Sequence, residues 1–113
     1  MSDNTNTVAI TAGQSLSGPV LGLSNAIAVT IGMPPDWTPA PLTFQASPNG
    51  RIFFDAFSHD GQELVVNVVS NIIFALPTDS VLVRSAAIRL RSGTRANPVP
   101  QADERTFLFT III

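Results

Sequence analysis

The sequence predicts an antiparallel all-β fold, either a sandwich or a barrel, with long loops and little or no helix. Short segments in which apolar and polar residues alternate recur at roughly 8–12-residue spacing, which is typical of strands with one buried face. Seven glycines and nine prolines fall mostly between those segments, where they interrupt regular structure. A chain of 113 residues has the size of one domain with one core.

The N-terminal part predicts a polar arm followed by two short strands. Residues 1–7 carry neither a positive charge nor an apolar run, so we expect an arm and not a secretory signal. A neighbouring subunit is the simplest candidate for holding such an arm. The single domain is then residues 8–113. Within it, Thr7–Thr11 and Asn25–Ile31 predict strands, and the glycine-containing segment between them predicts a loop or an irregular edge strand.

A proline-rich loop and a β-hairpin come next. Residues 32–41 contain four of the nine prolines, which exclude a helix and a central strand. Trp37 at the centre of that loop either anchors it onto the core or offers an indole face to a sugar ring. Leu42–Ala46 alternates as a strand, Ser47–Gly50 has the residues of a tight turn, and residues 51–57 return as the second strand.

The segment after the hairpin predicts a meander. Ser58–Gly61 is a turn, and Gln62–Val69 is rich in β-branched residues, which favours a strand. Residues 71–76 are apolar and ambiguous. Pro77–Asp79 predicts a turn or a single helical turn.

The C-terminal part predicts two more strands around a loop. Ser80–Ser92 is interpreted as a strand with an interruption, and residues 92–100 have the composition of a loop. Arg105–Ile113 closes the chain as a strand with two nearly apolar faces. Such a strand is normally central in a sandwich or is covered on its second side by another chain.

The residues with chemical potential do not form a recognisable catalytic or metal-binding set. His59 is the only histidine, and sequence adjacency to Asp60 does not give the geometry of a catalytic triad. With Glu63, these two would form a weak set of metal ligands. Asp103 and Glu104 would point to opposite faces of a strand. We therefore expect no enzymatic activity, no cofactor and no metal ion.

The charged residues exclude some partners and indicate others. Only 12% of the residues are charged, about half the usual share, which indicates a surface partly covered by neighbouring proteins. The formal net charge is −2, so a nucleic-acid partner is not expected.

No apolar run approaches the ~20 residues that a membrane-spanning helix needs. The absence of cysteine excludes disulfides and leaves the compartment undetermined.

Two arginines, Arg89 and Arg91, share one face of a predicted strand. They could recognise a carboxylate or phosphate, or they could pair with Asp79, Asp103 and Glu104 at the surface or between subunits. We favour the second interpretation.

Aromatic and apolar residues predict a protein interface. Three phenylalanines on the second hairpin strand cannot all point inward, and the last strand has apolar residues on both faces. The predicted partner interface consists of Phe53, Phe54, Phe57, Arg89, Arg91, Phe107, Phe109 and Ile112.

Five segments in this order and spacing resemble small proteins encoded among the structural genes of tailed bacteriophages. The segments are Ala12–Ser17, Gly32–Thr38, Leu42–Asp55, Ile88–Thr94 and Pro98–Gln101. The resemblance touches most of the chain from residue 8 onward. It implies a β-sandwich protein of the virion, assembled in the cytoplasm of the bacterial host, and it implies no catalytic residue.

The hairpin turn also resembles the turn of discoidin-type, galactose-binding-like domains. Asn49 stands where that turn usually has Asp, and Phe53 or Phe54 stands where it usually has Trp. This second resemblance implies a jelly-roll sandwich. The loops that grip a sugar in such domains have no counterpart here.

The resemblance implies a capsid decoration or cement protein, or a head-associated subunit, which oligomerises and covers joints between capsid proteins. A trimer would suit the local three-fold positions of a capsid. The alternative is a module of a tail or fibre that binds host-surface carbohydrate through Trp37 and neighbouring loops.

Overall fold

Two antiparallel sheets of four strands pack face to face in the computed structural model of the chain, which describes residues 3–76 and 80–113. The strands are β1 (Asp3–Ile10), β2 (Val20–Leu21), β3 (Ala28–Gly32), β4 (Leu42–Ser47), β5 (Phe54–Asp55), β6 (Ile73–Ala75), β7 (Ala87–Ser92) and β8 (Arg105–Ile112). The described residues contain no helix, and hence none that is long and apolar enough to cross a membrane. The predicted all-β class is confirmed.

The order of the strands is that of a jelly roll. Sheet A has the order β1-β8-β3-β6 and sheet B the order β2-β7-β4-β5. The first strand therefore pairs with the eighth, the second with the seventh, the third with the sixth and the fourth with the fifth. This is the arrangement of a long hairpin wound into two sheets, so the predicted jelly-roll sandwich is confirmed.

The core lies between the two sheets and is built from alternate residues of their inner faces. Sheet A contributes Ile10, Val29, Ile31, Phe107, Phe109 and Ile111, and sheet B contributes Val20, Leu42, Phe44, Ala46, Ile88 and Leu90. Strand β8 pairs with β1 on one side and β3 on the other. Its predicted central position is therefore confirmed.

The predicted hairpin is present as β4 and β5, but its second strand is only Phe54–Asp55 and not the predicted residues 51–57, because residues 48–53 form the connecting loop. The hydroxyl oxygen of Ser47 accepts a hydrogen bond from the amide of Gly50 at 2.8 Å, and the side-chain oxygen Oδ1 of Asn49 accepts one from the amide of Arg51 at 2.9 Å. Gly50 has a φ of 78°, the left-handed conformation that glycine adopts without strain. In this turn, side-chain oxygens thus accept the backbone N–H groups that have no partner in the β-ladder.

The predicted strand over Gln62–Val69 is wrong. This segment forms only two isolated bridges, Phe57 with Glu63 and Leu42 with Val66. The amide of Leu64 donates to the carbonyl of Ala56, and two residues later Val66 pairs with β4. Because the segment changes its pairing partner within three residues, a continuous ladder cannot form.

The predicted strand over Ser80–Ser92 is only half present. Residues 80–86 form turns, and β7 begins at Ala87. The carbonyl of Val81 accepts hydrogen bonds from the amide of Arg84 at 3.2 Å and the hydroxyl of Ser85 at 2.6 Å. These local bonds satisfy backbone groups that a strand would need for pairing. The predicted turn at Pro77–Asp79 lies outside the described residues.

Strand β1 extends through most of the segment that the sequence set apart as a polar arm. All residues of Asp3–Ile10 are paired one to one with β8 of the same chain. An edge strand needs only backbone hydrogen bonds on one side, so polar residues such as Thr5 and Thr7 fit it. One edge of this segment is thus held within the chain, without a neighbouring subunit.

Candidate interaction surfaces

The outer face of sheet A has one charged position, Asp3 at the end of β1, and is otherwise uncharged, so we call it the uncharged face. It consists of Thr5, Thr7, Ala9, Ala28, Thr30, Gly32, Ile73, Ala75, Thr106, Leu108, Thr110 and Ile112. These residues share one side of the sheet because side chains alternate along each strand and adjacent partners point the same way. In β8 the alternation appears directly, since Phe107 and Phe109 are buried and Leu108 is 54% exposed.

Two rows of paired residues cross the uncharged face. In one row Thr5, Thr110 and Thr30 are neighbours, and the hydroxyl oxygens of Thr5 and Thr110 lie 3.2 Å apart. In the next row Leu108 and Ile73 lie on either side of Gly32. Ile73 is 73% exposed. Because glycine has no side chain, nothing projects between these two apolar side chains on this row.

A second surface is a groove lined by aromatic and aliphatic side chains, which we call the aromatic groove. Two adjoining hollows of about 580 Å³ and 410 Å³ share Phe57, Val81 and Arg84. Phe54, which is 60% exposed, lines the smaller hollow, and His59 lines the larger one. The groove is thus apolar at its walls and carries a cationic side chain, Arg84, that forms no ion pair among the described residues.

A compact group of charges on the outer side of sheet B lies beside the aromatic groove, and we call it the Arg91 cluster. The Arg91 guanidinium donates to Asp55 at 2.7 Å and to Glu63 at 2.9 Å, and its Nε donates to the hydroxyl of Thr43 at 3.0 Å. Arg95 donates from its Nε to the second oxygen of Asp55 at 3.0 Å. Two positive and two negative charges are therefore balanced in a group whose centre, Arg91, is buried and whose outer member, Arg95, is exposed.

The Arg91 cluster corrects the predicted pairing of the arginines. We expected Asp79, Asp103 and Glu104 as partners, but within residues 3–76 and 80–113 the ion-pair partners of Arg91 are Asp55 and Glu63. Asp79 itself lies outside that part of the chain. Asp55 and Glu63 come from segments that sequence periodicity does not bring together, so no pairing could be deduced.

Hydrogen bonding shifts the acidity of two aspartates. The hydrogen bond from Arg91 is the main reason why the pKa of Asp55 lies below its ordinary value, although burial opposes the shift. In the turn after β5, the hydroxyl of Ser58 donates to Asp60, which lowers the pKa of Asp60. Ser58 therefore bonds to Asp60, and His59 between them is exposed to solvent. This geometry is not that of a catalytic triad.

The three hairpin phenylalanines have different surroundings. The Arg89 guanidinium lies 4.2 Å from the ring centroid of Phe53, and its buried Nε has no hydrogen-bond partner within the described residues. Arg95 lies 5.5 Å from the ring centroid of Phe57. Among the described residues no cation–π contact involves the ring of Phe54, which is the most exposed of the three. Cation–π contacts thus hold two of the rings in place.

Several residues of the predicted interface are not available to a partner. Phe107 is fully buried and Phe109 is 5% exposed, because both point into the core between the sheets. Arg91 is buried in its own cluster. We therefore remove these three from the candidate interface, whereas Phe54 and Ile112 remain on accessible surfaces.

Trp37 anchors its loop onto the core, which was one of its two predicted roles. Its ring packs edge to face on Phe107, with centroids 5.5 Å apart, and its Nε1 donates to the carbonyl of Ala40 at 3.1 Å. The residue is 6% exposed. No indole face is open to a sugar ring in this arrangement.

Sequence reasoning did not identify Ile73, Val81 or Arg84 as surface-forming residues. The sequence showed only that these residues are apolar or cationic. Their position on the surface could not be deduced, because the predicted strand boundaries around them were ambiguous or wrong. Leu108 had a usable signal, since it alternates with Phe107 and Phe109 on a strand with two apolar faces. In the part of the chain that the structure describes, no three acidic or histidine side chains lie close enough to hold a metal ion.

No family model matches the chain, and no curated protein matches it either. The resemblance to bacteriophage structural proteins therefore stays a prediction that depends on the motifs themselves.

Proposed function

We propose that this protein is a non-enzymatic structural subunit of a bacteriophage particle, of the capsid decoration or head-associated type. It oligomerises and covers joints between capsid proteins. The observation that supports the proposal is the uncharged face, an exposed antiparallel sheet surface with Leu108 and Ile73 at its centre. Exposed sheet faces of soluble domains normally carry polar and charged side chains opposite the core, whereas this face combines threonines with two exposed aliphatic side chains, which is typical of a contact with another protein.

The size of the uncharged face limits what one copy can achieve. Four strands ~4.8 Å apart and about six residues long cover about 400 Å². If all of that area were apolar, its burial would be worth at most about 10 kcal/mol at ~25 cal/mol per Å², and the threonines of the face reduce a gain that is already only comparable with the cost of association. Such a contact is weak when made once. It becomes effective when several copies, joined to each other, bind several equivalent sites.

The jelly-roll topology is compatible with both functions that the sequence suggested, because viral capsid and lectin domains use it. The surfaces favour the structural function. Carbohydrate recognition was attributed to Trp37, whose side chain is buried, whereas the uncharged face is exposed. No other observation favours a sugar site.

The test is the abundance of the chain in purified particles and its dependence on the uncharged face. Particles are produced in host cells that carry the gene, purified on a density gradient and analysed by quantitative mass spectrometry. We expect hundreds of copies per particle. Leu108→Arg places a charge at the centre of the uncharged face and should reduce the copy number at least about tenfold.

Leu21→Arg is the matched control, because Leu21 is 60% exposed and lies on β2 of the other sheet. This variant should retain the wild-type copy number. Absence of the wild-type chain from purified particles would refute a virion function. Equal loss with both variants would mean that the uncharged face is not the contact.

A further inference from the structure

The four sheet edges of the sandwich differ greatly in length. Three of them are short, because β2 and β5 have two residues each and β6 has three. The fourth edge is β1, with eight residues from Asp3 to Ile10. Short edge strands are one of the ways in which proteins prevent unwanted strand pairing. Strand β1 is the exception in this molecule.

The outer edge of β1 lacks the other usual protections as well. The strand contains no proline and no cationic residue, and its pairing with β8 has no bulge. Its backbone forms no hydrogen bond to a third segment within residues 3–76 and 80–113. Every second residue of an antiparallel edge strand directs its N–H and C=O groups away from its neighbour. These groups form a ready template for another strand.

The side chains of β1 are also accessible. Thr5, Asn6 and Thr7 are exposed although their residues are paired with a central strand. This half of β1 therefore extends past the cover of sheet B and buries little apolar area. A partner that binds along the edge gains the free hydrogen-bonding groups without displacing any other part of the chain.

We propose that β1 pairs with β1 of a second copy, antiparallel about a two-fold axis that passes beside Asn6 perpendicular to the sheet, and that the two copies form a continuous eight-stranded sheet. In this register, Asn6 of one copy lies opposite Asn6 of the other, Thr5 lies opposite Thr7, and Asp3 lies opposite Ala9, so that opposite residues share one face of the sheet. The two acidic positions are then at opposite ends of the contact. The same surface is used by both copies, as a two-fold contact requires.

A second copy fits this edge better than an unrelated strand for two reasons. The central residues of β1 are uncharged, so self-pairing brings no like charges together. The pairing also places the two uncharged faces side by side in one sheet, which doubles the flat surface to about 800 Å². The inference deepens the proposed function, on which it rests, by naming the contact between copies. It gives a dimer where the sequence suggested a trimer.

The mass of the protein in solution tests the pairing. Sedimentation equilibrium should give twice the chain mass of 12.0 kDa. Asn6→Lys places two lysines directly opposite each other across the pair and should raise the dissociation constant at least about tenfold. The matched control is Asn67→Lys, at an exposed residue outside the strands, which should change it less than about twofold. A trimer, a monomer at about 100 µM, or an Asn6→Lys dimer of unchanged affinity would overturn the pairing.

Amide hydrogen exchange of the wild-type chain gives an independent measurement that does not depend on a variant folding. Alternate amides of β1, those directed away from β8, should exchange slowly at high protein concentration and rapidly on dilution. Exchange at those amides that does not depend on concentration would also refute the pairing.

The two proposals fail separately. A wild-type monomer that is abundant in particles would refute the pairing and leave the virion function intact. A wild-type dimer that is absent from particles would refute the virion function and leave the pairing intact. Leu108→Arg, which lies on the uncharged face and not at the edge, should remain dimeric.

Discussion

At the scale of single residues, Arg91 shows how this fold accommodates a buried cation. Its guanidinium donates to two carboxylates and one hydroxyl, and Arg95 balances the second acidic charge. A buried pair of this kind contributes little relative to apolar residues, but removal of one partner leaves the other desolvated and unpaired. The cluster also holds β5 beside the aromatic groove, because Asp55 belongs to that strand.

The substitution Asp55→Asn should lower the free energy of unfolding at pH 7 by about 1–3 kcal/mol, because two arginines lose a charged partner. The pKa of Asp55 is lowered by folding. Its contribution is therefore present above the unfolded value of about 3.9 and is lost as the pH falls through the folded value. Urea unfolding at pH 7 and in acid should show a difference between wild type and variant that shrinks below about pH 4.

Asp103→Asn is the control for that measurement. Asp103 is exposed and forms no ion pair among the described residues, so we expect a change below about 0.5 kcal/mol. A difference for Asp55→Asn that grows in acid would contradict the assigned role of Arg91.

Gly93 should be among the glycines least tolerant of substitution. It has a φ of 89°, and a Cβ atom there would lie 2.4 Å from the carbonyl oxygen of Asn97. Gly93→Ala should therefore cost at least about 2 kcal/mol of unfolding free energy, since strain and a backbone clash add. Gly13 has a similar φ of 80° and open space around it, so Gly13→Ala should cost only about 1 kcal/mol. Equal midpoints in urea for the two variants would contradict this explanation.

At the scale of elements, the loops at one end of the sandwich are tied together by Gln101. This residue is 1% exposed. Its side-chain carbonyl accepts from the amide of Thr38 and from Arg105 Nε, at 2.9 Å and 3.1 Å. Its amide donates to the hydroxyl of Ser92 at 2.7 Å. The proline-rich loop, β7 and β8 thus meet at one side chain.

Gln101→Leu should lower the free energy of unfolding by about 2–4 kcal/mol, because it leaves these buried polar groups without partners. Thermal unfolding followed by circular dichroism measures the loss. Gln14→Leu is the control, since Gln14 is exposed and only its backbone groups are seen in hydrogen bonds. A Gln101→Leu variant as stable as the control would mean that water replaces the lost bonds.

The elements also show which parts of the fold could be predicted from sequence. Strands β4 and β8 alternate clearly in the sequence, but only β8 also alternates in burial, because Thr43 and Ser47 on the polar side of β4 are buried as well. The Gln62–Val69 segment has strong β propensity, but it lies where two different neighbours compete for pairing. Propensity describes a residue's fit to a sheet surface and carries no information about which neighbour is present. The strand order likewise depends on contacts between distant segments.

The candidate surfaces could be predicted only in part for the same reason. The apolar second face of β8 was visible in the sequence, and it led to the uncharged face. The Arg91 cluster, the aromatic groove and the role of Gln101 each combine residues far apart in the chain. A single polar residue in a loop, such as Gln101, has no periodic pattern by which burial could be recognised.

At the scale of the whole molecule, the two outer surfaces of the sandwich have opposite character. The outer side of sheet B carries the Arg91 cluster and Arg89, whereas the outer side of sheet A is the uncharged face. Pairing through β1 keeps this division, because it joins two A sheets edge to edge. A dimer would therefore present one broad uncharged side to a partner and one charged side to solvent.

The dimer should be insensitive to salt. The pairing that we propose uses backbone hydrogen bonds and uncharged side chains. Salt screens only interactions between charges, so it should weaken this contact little. Its dissociation constant should change less than about threefold between about 0.05 M and 0.5 M NaCl, measured by sedimentation. Weakening of more than about tenfold across that range would indicate ion pairs at the contact and a different surface.

The central position of β8 has a consequence for how the protein is made. Strands β1 and β3 leave the ribosome long before β8, yet they touch each other only through it. Sheet A therefore cannot form until residues 105–112 have been synthesised. Until then the apolar residues of β3 remain exposed to solvent. Folding dominated by such distant contacts is slow, and the waiting chain is open to aggregation. The order of synthesis thus leaves the apolar residues of β3 exposed for most of the time that the chain is being made.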